Sequence, residues 1–478
     1  RGRVFEKYGG KPVKEARDEV AALMMERYGS IPMYEFDTRQ VICRCGSRVY
    51  VKILHDQWFL AYSDPSWKEE VKTVLEGMAL VPPEVRAEFE RTVDWLKDWA
   101  CTRRVGLGTK LPWDPTWIIE PLSDSTIYMA YYTIAHHLKG IPAENLTPEV
   151  FDYIFLGEGE PATLDRSTLE RLRSEFLYWY PYDYRFSAKD LISNHLTFQV
   201  FHHSAIFPPE LQPRGMVVFG MGLLNGAKMS SSKGNVFLLE DALSEFGADT
   251  VRMFLVGSAE PWQDFDWRND LVSSTKKQIE RFWNTIQEGK GAEGSCEIDA
   301  WLESRLQRRI ESTTAALESF QTRQALQEAF FGVEADLKWY RRRLPEGVTG
   351  GEVLRDLCHI WVRLLAPFIP FTCEALWRDL GEEGMVSFAP WPEADETKIN
   401  PEVELAEELL ARTVEDIESI KKLIPMEPKS ISLYVAPAWK HEIFRMVASS
   451  DDRTRGMHTL MQNEEIRRRG REATDAAK

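Results

Sequence analysis

The sequence is poor in cysteine and in long apolar segments. Six cysteines among 478 residues, with no even spacing, argue for reduced thiols and against a disulfide framework. No apolar run reaches the roughly 18 to 20 residues that a membrane-spanning helix needs. The first residues are charged and do not resemble a signal sequence. We therefore expect a cytoplasmic protein with no membrane partner.

Positively charged side chains are outnumbered by negatively charged ones. The chain carries 59 basic and 75 acidic side chains, a formal net charge of -16, which argues against a protein that binds nucleic acid over its whole surface. Local basic clusters do occur at Arg341–Arg343 and at Arg467–Arg469. These clusters are either solvated helix faces or contacts to a phosphate backbone.

What the chain has is enough apolar material for a large folded protein. Hydrophobic residues make up 44% of the sequence and charged residues 28%. At 478 residues, this composition predicts a globular chain of roughly two to four domains.

The segment KMSSSKGN, residues 228–235, is the strongest chemical signal. It places two lysines, three serine hydroxyls and a glycine within eight residues. Ammonium groups neutralise charge on a leaving pyrophosphate, while hydroxyls and backbone N–H groups bind its oxygens. The segment is not a Walker A loop, because no glycine stands four residues before a Gly-Lys-Ser/Thr. The alternative is a solvated surface turn.

Two other segments fit a nucleotide site. Asp190 follows a predicted strand and precedes a helix, which is how Rossmann-type folds hold ribose hydroxyls; a helix cap by Ser187 or Asp190 is the alternative. A predicted strand at Val217–Phe219 leads to Gly220-Met221-Gly222. Glycines there would let the backbone lie against an adenine ring.

Local patterns predict several elements in the first third of the chain. We expect a charged helix that ends before Pro32 and a hairpin over residues 41–51. Cys43 and Cys45 in that hairpin supply half a zinc site at best, so zinc is left open. We also expect a helix capped by Asp64 with a proline in its first turn. Trp95 and Trp99 are interpreted as core residues.

The rest of the chain is predicted mainly helical. We expect a helix capped by Ser123 or Asp124 that runs to His137, and a loop-rich insertion over residues 140–175. His136 and His137 are interpreted as surface or packed histidines. Helices are expected over residues 239–246 and 248–256, followed by a series with apolar residues three or four apart that forms a bundle. A short strand is expected over residues 430–435.

Several motifs together resemble the leucyl-tRNA synthetases of archaeal and eukaryotic type, which are class I aminoacyl-tRNA synthetases. They are DWACTRR, GLGT, LPWD, IIEPLSDSTIYMAYYTIAHHL and SAKDLISNHL, at residues 98–104, 106–109, 111–114, 118–138 and 187–196. KMSSSKGN is similar to the KMSKS loop of that class, with Ser231 where the family's second lysine usually stands.

This resemblance implies a fold and a domain order. The fold class is α/β, the second half of a Rossmann-type catalytic domain, followed by an α-helical bundle and a small truncated α+β segment. The implied segments are 1–62, the end of an editing insertion; 63–238, the catalytic half; 239–400, the anticodon-binding bundle; and 401–478, the start of a tRNA-binding appendage.

The resemblance also implies a reaction and its residues. Leucine and ATP, with Mg²⁺, would form leucyl-adenylate, and the leucyl group would pass to leucine tRNA. The implied catalytic residues are Lys228, Ser230, Ser231, Ser232 and Lys233. The implied ATP-binding residues are Asp190, His195, Gly220, Met221, Gly222 and Lys228. Ser125 and Tyr128 would approach the amino-acid pocket, and no protein-held metal is expected.

One family element is missing from the sequence. No His-x-Gly-His motif occurs, so the first half of the Rossmann fold and most of the editing domain are expected to be absent. We therefore expect this chain to be inactive without a complementary N-terminal half. The alternatives are an isoleucyl- or valyl-tRNA synthetase, or a tRNA-binding module without catalysis.

Overall fold

The computed structural model describes residues 6–36, 41–43, 45–54, 56–230, 234–425 and 428–448, with residues 468, 470 and 472 near the end. The chain divides into two compact units. The first comprises Arg1–Glu293, Arg309–Ala335 and Leu354–Glu393, and the second Gly294–Arg308, Asp336–Val353 and Ala394–Lys478. The four segments expected from the sequence stay a prediction.

Helices dominate both units. The α-helices are α1 (Val13–Tyr28), α2 (Pro65–Gly77), α3 (Arg86–Trp95), α4 (Pro121–Asp124), α5 (Tyr128–Ala135), α6 (Pro148–Leu156), α7 (Arg166–Trp179), α8 (Thr197–Ile206), α9 (Leu239–Phe246), α10 (Ala248–Ser258), α11 (Asn269–Gly289), α12 (Asp299–Glu318), α13 (Thr322–Leu326), α14 (Val333–Arg343), α15 (Glu352–Leu365), α16 (Pro370–Asp379), α17 (Pro401–Leu423) and α18 (Ala438–Ala448). None of the described helices is long and apolar enough to cross a membrane.

The strands are short. They are β1 (Phe59–Leu60), β2 (Ala79–Val81), β3 (Trp99–Ala100), β4 (Thr102–Arg103), β5 (Lys110–Leu111), β6 (Asp114–Ile119), β7 (Arg185–Ala188), β8 (Gly215–Phe219), β9 (Gly222–Leu224), β10 (Ala227–Lys228) and β11 (Phe265–Trp267). They pair in the orders β1-β3, β4-β6-β5, β2-β8-β7 and β10-β9-β11.

The sheet with the order β2-β8-β7 is parallel and is the α/β core of the first unit. Its central strand β8 is buried from Gly215 to Val218, because helices cover parallel sheets on both faces and such strands are continuously apolar. Side chains of α2, α3 and α8, including Leu75, Phe89 and Phe198, form one core cluster with Met216 of β8. The predicted α/β class is confirmed.

The loop-rich insertion expected over residues 140–175 is wrong. This region contains α6 and most of α7. Pro148 occupies the first turn of α6, where a missing N–H costs nothing. Val150 and Ile154 are fully buried with Leu172 of α7 in a second core cluster. The apolar residues of α6 recur at helical spacing, and the acidic residues between them hid this pattern.

Two further expectations about this unit are wrong. Trp95 is 68% exposed and does not belong to the core, whereas Trp99 is partly buried and packs against it.

The helix that carries Tyr128 does not begin at Ser123 or Asp124. Ile127 is its N-cap residue, without a side-chain bond, because the chain first forms the separate turn α4.

Several local predictions are confirmed. The Asp64 carboxylate accepts hydrogen bonds from the backbone N–H groups of Ser66 and Trp67, and Pro65 opens α2. The helix expected from Arg1 to about Ile31 does end before Pro32, at Tyr28 with Gly29 as its C-cap residue, but it begins only at Val13. The helices expected at 239–246 and 248–256 are α9 and α10. The hairpin of residues 41–51 is reduced to a single bridge between Ile42 and Arg48 among the described residues.

The second unit contains a partly buried polar network around Tyr340 and Asp299. Tyr340 donates a hydrogen bond to Asp299 at 2.6 Å and accepts one from the Gly351 backbone at 3.0 Å. The other Asp299 oxygen accepts the Cys296 backbone N–H at 2.8 Å.

The strand expected at 430–435 is wrong: this segment has no regular structure, and Leu433 is exposed, so no packed face supports the alternating pattern.

A tertiary cap opens α16 in the first unit. Asp249, which is buried, accepts the backbone N–H groups of Phe371 and Thr372 at 3.3 and 2.6 Å, and the Thr372 hydroxyl at 2.6 Å. The N-cap residue Ile369 offers no side-chain acceptor. The α16 N-terminus therefore depends on a carboxylate from α10.

Replacing this cap should destabilise the first unit. Asp249→Ala leaves two helix N–H groups without their acceptor, so we expect the free energy of unfolding to fall by about 1–3 kcal/mol. Urea denaturation followed by circular dichroism measures the change. Glu245→Ala, which removes an exposed carboxylate on α9, serves as the control. An Asp249→Ala loss no larger than that of the control would refute the role of the cap.

Candidate active site

The carboxyl ends of β7 and β8 lie side by side. In their parallel register Ala188 is opposite Phe219. The turn that carries Asp190 and the turn that begins at Gly220 therefore leave the sheet at the same edge, where open α/β sheets bind their ligands. Asp190 is exposed there. The capping alternative is wrong, because neither the Lys189–Leu191 turn nor the helical segments that follow it have a side-chain cap.

The two glycines at this edge are in close contact with a neighbouring segment, Gly220 with its backbone and Gly222 with a side chain. A Cβ at Gly220 would lie 2.2 Å from the Gln263 carbonyl oxygen, and one at Gly222 would lie 2.7 Å from the Phe265 ring. The Gly220 N–H also donates to the Pro261 carbonyl at 2.8 Å. The glycines thus let the turn press against residues 261–265, a reason that the sequence did not reveal.

Asp264 joins the two turns. Its Oδ1 accepts the Lys189 ammonium at 2.6 Å and the Met221 backbone N–H at 2.8 Å. The bond from Lys189, followed by that from Met221, lowers the pKa of the Asp264 carboxyl, so the carboxylate is charged at neutral pH. Sequence analysis missed Asp264, because its partners lie 75 and 43 residues away.

His195 joins the residues predicted for the amino-acid pocket to those predicted for ATP. Its Nδ1 lies 3.1 Å from the Arg185 guanidinium and its Nε2 lies 2.9 Å from the Ser125 hydroxyl. Arginine only donates, so Nδ1 accepts and Nε2–H donates to Ser125. Burial, and then the Arg185 charge, lower the pKa of His195. The imidazole is therefore neutral.

Arg185 organises the same site, although sequence analysis did not identify it. Besides His195, its guanidinium donates to the Gln199 side chain, which in turn donates to the Tyr182 hydroxyl. The guanidinium carbon also lies 5.8 Å from the centre of the Tyr128 ring, within cation–π range. The available signal was its position, since Arg185 begins the strand that leads into the SAKDLISNHL segment.

A cavity of about 840 Å³ adjoins this group of side chains. Its wall includes Tyr128, Tyr132, Arg185, Ser187 and Leu191. This mixture of aromatic rings with a few polar groups is typical of small-molecule sites. Of the predicted pocket residues, Tyr128 therefore lines the cavity, and Ser125 is hydrogen-bonded to His195.

The ends of the lysine-serine loop are held together. The Ser230 and Asn235 backbones exchange hydrogen bonds of 2.8 and 3.2 Å, and the Asn235 side chain donates to the Lys228 carbonyl at 3.1 Å. Lys228 ends β10 and is exposed. Ser231, Ser232 and Lys233 lie outside the described residues. The described part of the loop is thus a hairpin stem with an exposed lysine on it.

The arginine cluster of the second unit has partners within the protein. Arg343 forms a two-point contact with Glu407, with distances of 2.9 and 3.1 Å. The Arg342 guanidinium lies 5.7 Å from the Trp339 ring centre. Arg343 therefore has a structural partner and is less available to a phosphate backbone. The Arg467–Arg469 cluster lies largely outside the described residues.

Two further histidines of α8 lie behind the site, His202 partly buried and His203 buried. His203 is fully buried; its Nδ1 donates to the Gln199 carbonyl at 2.9 Å and its Nε2 accepts the Tyr180 hydroxyl at 2.6 Å. His202 contacts the Thr126 and Tyr62 hydroxyls. Burial lowers the pKa of both histidines to about 4. Both rings are neutral at physiological pH.

Comparison with known proteins defines the class of this fold. A family model for class I tRNA synthetases (M) matches residues 168–287, and one for the anticodon-binding domain of tRNA ligase matches residues 299–433. The structure of Mycobacterium tuberculosis methionyl-tRNA synthetase in complex with methionyl-adenylate has a TM-score of 0.52 at 17% identity, covering 73% of this chain and 68% of that one. The fold is that of a class I tRNA synthetase.

The relatives specify the family. The leucine-tRNA ligase of Methanothermobacter thermautotrophicus is 50% identical over 457 residues, 92% of this chain and 48% of that protein. That of Methanopyrus kandleri is 48% identical over 479 residues, 98% of this chain and 50% of that protein. The chain belongs to the leucine-tRNA ligase family, as the motifs predicted, and it spans about half the length of the curated relatives it matches.

Adding a methyl group at Gly220 should disturb the site edge. Because the Cβ of Gly220→Ala would meet the backbone of Gln263, which cannot rotate away, we expect a loss of about 1–3 kcal/mol in the free energy of unfolding. Chemical denaturation provides the measurement. Gly291→Ala is the control, since its Cβ meets nothing within 4 Å. Equal stability of the two variants would show that the turn has space to spare.

The buried histidine His203 should make stability depend on pH. Its pKa is about 4 in the folded protein against an ordinary 6.5, so the unfolded chain binds the proton more readily. The stabilisation is present above pH 6.5 and lost as pH falls towards 4, by at most about 3 kcal/mol. Denaturation between pH 7 and 4.5 should show a shallower loss for His203→Gln than for wild type. Exposed His441→Gln should retain the wild-type slope.

Proposed function

We propose that the protein of which this chain forms part activates leucine with ATP and transfers the leucyl group to leucine tRNA, in the cytoplasm. The single observation that carries this proposal is the identity of 42–50% to leucine-tRNA ligases over 92–98% of the chain. Identity of this extent covers the segments that carry Ser125, His195 and Lys228 alike.

The first step forms leucyl-adenylate. A carboxylate oxygen of leucine attacks the α-phosphorus of ATP, which arrives as its Mg²⁺ complex, and the bond to pyrophosphate breaks. No covalent bond to the protein forms, so positioning and charge carry the catalysis. Lys228 and Lys233, with the hydroxyls of residues 230–232, would stabilise the departing pyrophosphate. A terminal ribose hydroxyl of the tRNA then attacks the leucyl carbonyl and releases AMP.

The geometry around His195 supports a role in substrate binding. Its neutral imidazole is oriented by Arg185, so Nε2–H is directed at Ser125 and the Ser125 hydroxyl hydrogen can be donated to a ligand. Tyr128, against the same arginine, supplies an apolar wall of the cavity. Asp190 would hold the ATP ribose and Gly220-Met221-Gly222 would face the adenine, both at the edge where β7 and β8 end.

A complementary N-terminal half is a proposed partner. Among the described residues β7 pairs only with β8, so its other edge offers unpaired backbone groups, and Phe186 on it is 57% exposed. Proteins normally cover or pair such edges, and parallel sheets in α/β folds extend by adding strands at them. A further strand of the same Rossmann-type domain is the partner of matching chemistry.

Leucine-dependent exchange of pyrophosphate into ATP tests the function. We expect exchange only after this chain is mixed with a separately expressed N-terminal half, with leucine preferred over isoleucine and valine. Exchange by this chain alone would refute the need for a partner. A folded mixture that binds leucine tRNA but shows no exchange would instead favour a tRNA-binding module, for which Ser231 in place of the family's lysine is the supporting feature.

The same assay tests the pocket. Ser125→Ala removes the hydroxyl that faces His195, and we expect leucine KM to rise about tenfold, since one hydrogen bond to a charged ligand contributes about 1.5–3 kcal/mol. Ser123→Ala is the matched control, because its hydroxyl contacts Glu120 at 3.2 Å instead. An unchanged leucine KM in Ser125→Ala, or an equal rise in Ser123→Ala, would exclude Ser125 from the pocket.

A further inference from the structure

Two adjacent histidines and a glutamate converge beside the cavity. His136 is the C-cap residue of α5 and His137 follows it. In a continuing helix neighbouring side chains point about 100° apart, but here the helix ends and the two ring centroids lie 3.9 Å from each other. Glu175 faces them from α7, with its Oε2 3.8 Å from the His137 Nε2.

The three side chains present ligand atoms to one another. One ligand atom from each of His136, His137 and Glu175 lies within 4.8 Å of the other two. Among the residues that the structure describes, this is the one group of three or more histidine, cysteine or acidic side chains with such geometry.

The glutamate is oriented by a neighbour. The Trp179 indole N–H donates to Glu175 Oε1 at 3.0 Å, which leaves Oε2 directed at the histidines. Metal-binding carboxylates are commonly held in place by a hydrogen bond of this kind to the carboxylate oxygen that does not bind the metal. At 3.8 Å the Glu175 and His137 atoms face each other without forming a hydrogen bond, so space remains between them.

We propose that His136, His137 and Glu175 form a binding site for Zn²⁺. Two imidazoles and a carboxylate are ligands that zinc accepts at about 2.0–2.2 Å, and tetrahedral coordination then places ligand atoms about 3.3–3.5 Å apart. Side-chain rotations that move the ligand atoms by about 1 Å bring them from the observed separations to that spacing. Three protein ligands leave a fourth position for water, as in open zinc sites. His136 and Glu175 also line the cavity, so that position faces it.

The alternative is a plain histidine–carboxylate pair with no metal. The first unit contains such a pair, in which His359 Nδ1 lies 2.8 Å from Glu382 Oε1. That contact is a hydrogen bond in length and has no third ligand among the described residues. The pair at His359 is therefore a matched control for the site at His137.

Isothermal titration of the chelator-treated full chain with ZnCl₂ tests the proposal. We expect one Zn²⁺ at this site, with affinity at least tenfold weaker in His137→Gln and in Glu175→Gln, and unchanged in His359→Gln. Cys43→Ser/Cys45→Ser should leave the site intact while removing any zinc held by those thiols.

Absorption of the Co²⁺ complex identifies the ligands independently of any enzyme activity. We expect visible bands without the near-ultraviolet charge-transfer band of thiolate ligands, lost in His137→Gln. Circular dichroism must show that both variants are folded. If one of them is not, Trp179→Phe replaces it, because this substitution releases only Glu175 Oε1. Trp179→Phe should weaken the affinity for Zn²⁺ severalfold. No zinc binding by wild type, or binding that disappears only in the cysteine variant, would overturn the site.

Discussion

The parallel pairing of β7 with β8 is the constraint on which the site depends. It sets Ala188 against Phe219, and with that single register the turn at Asp190 and the turn at Gly220 emerge at one edge. A shift by one residue would reverse the faces of every β7 side chain, and would take Arg185 away from His195 and Gln199. The burial of β8 between helix layers makes such a shift costly, so the core fixes the geometry of the site.

The site combines a network of neutral groups with a few fixed charges. Buried His195 and His203 are neutral because burial lowers their pKa, and each ring nitrogen of His203 has a hydrogen-bond partner. One charge, the half-buried Arg185 guanidinium, lies within the network and contacts His195 and Gln199. The other, paired charges lie at the exposed edge, where Lys189 contacts Asp264. Charged groups in water cost little to keep, whereas an unpaired charge in the core would cost several kcal/mol. This arrangement leaves the edge polar enough to receive a phosphate-bearing ligand.

Sequence patterns predicted what depends on neighbouring residues and missed what depends on distant ones. The Asp64 cap, the apolar strand β8 and the helices α9 and α10 follow from a few adjacent residues. The links made by Asp264 and Arg185 join segments that only the folded chain brings together. The packing reason for Gly220 is likewise invisible without residues 261–265. Trp95 was misassigned because an amphipathic helix can carry a large aromatic ring on its exposed side, and composition does not say which side that is.

The cavity and the open edge of the sheet share the same strand. Arg185, Phe186 and Ser187 of β7 line the cavity, and the opposite edge of β7 has no strand partner among the described residues. A segment that paired with this edge would also cover part of the cavity wall and exclude water from it. Hydrogen bonds to a charged ligand in the cavity would strengthen as the local dielectric fell. In our proposal, association of a complementary half and completion of the amino-acid pocket are therefore one event, with β7 as the element common to both.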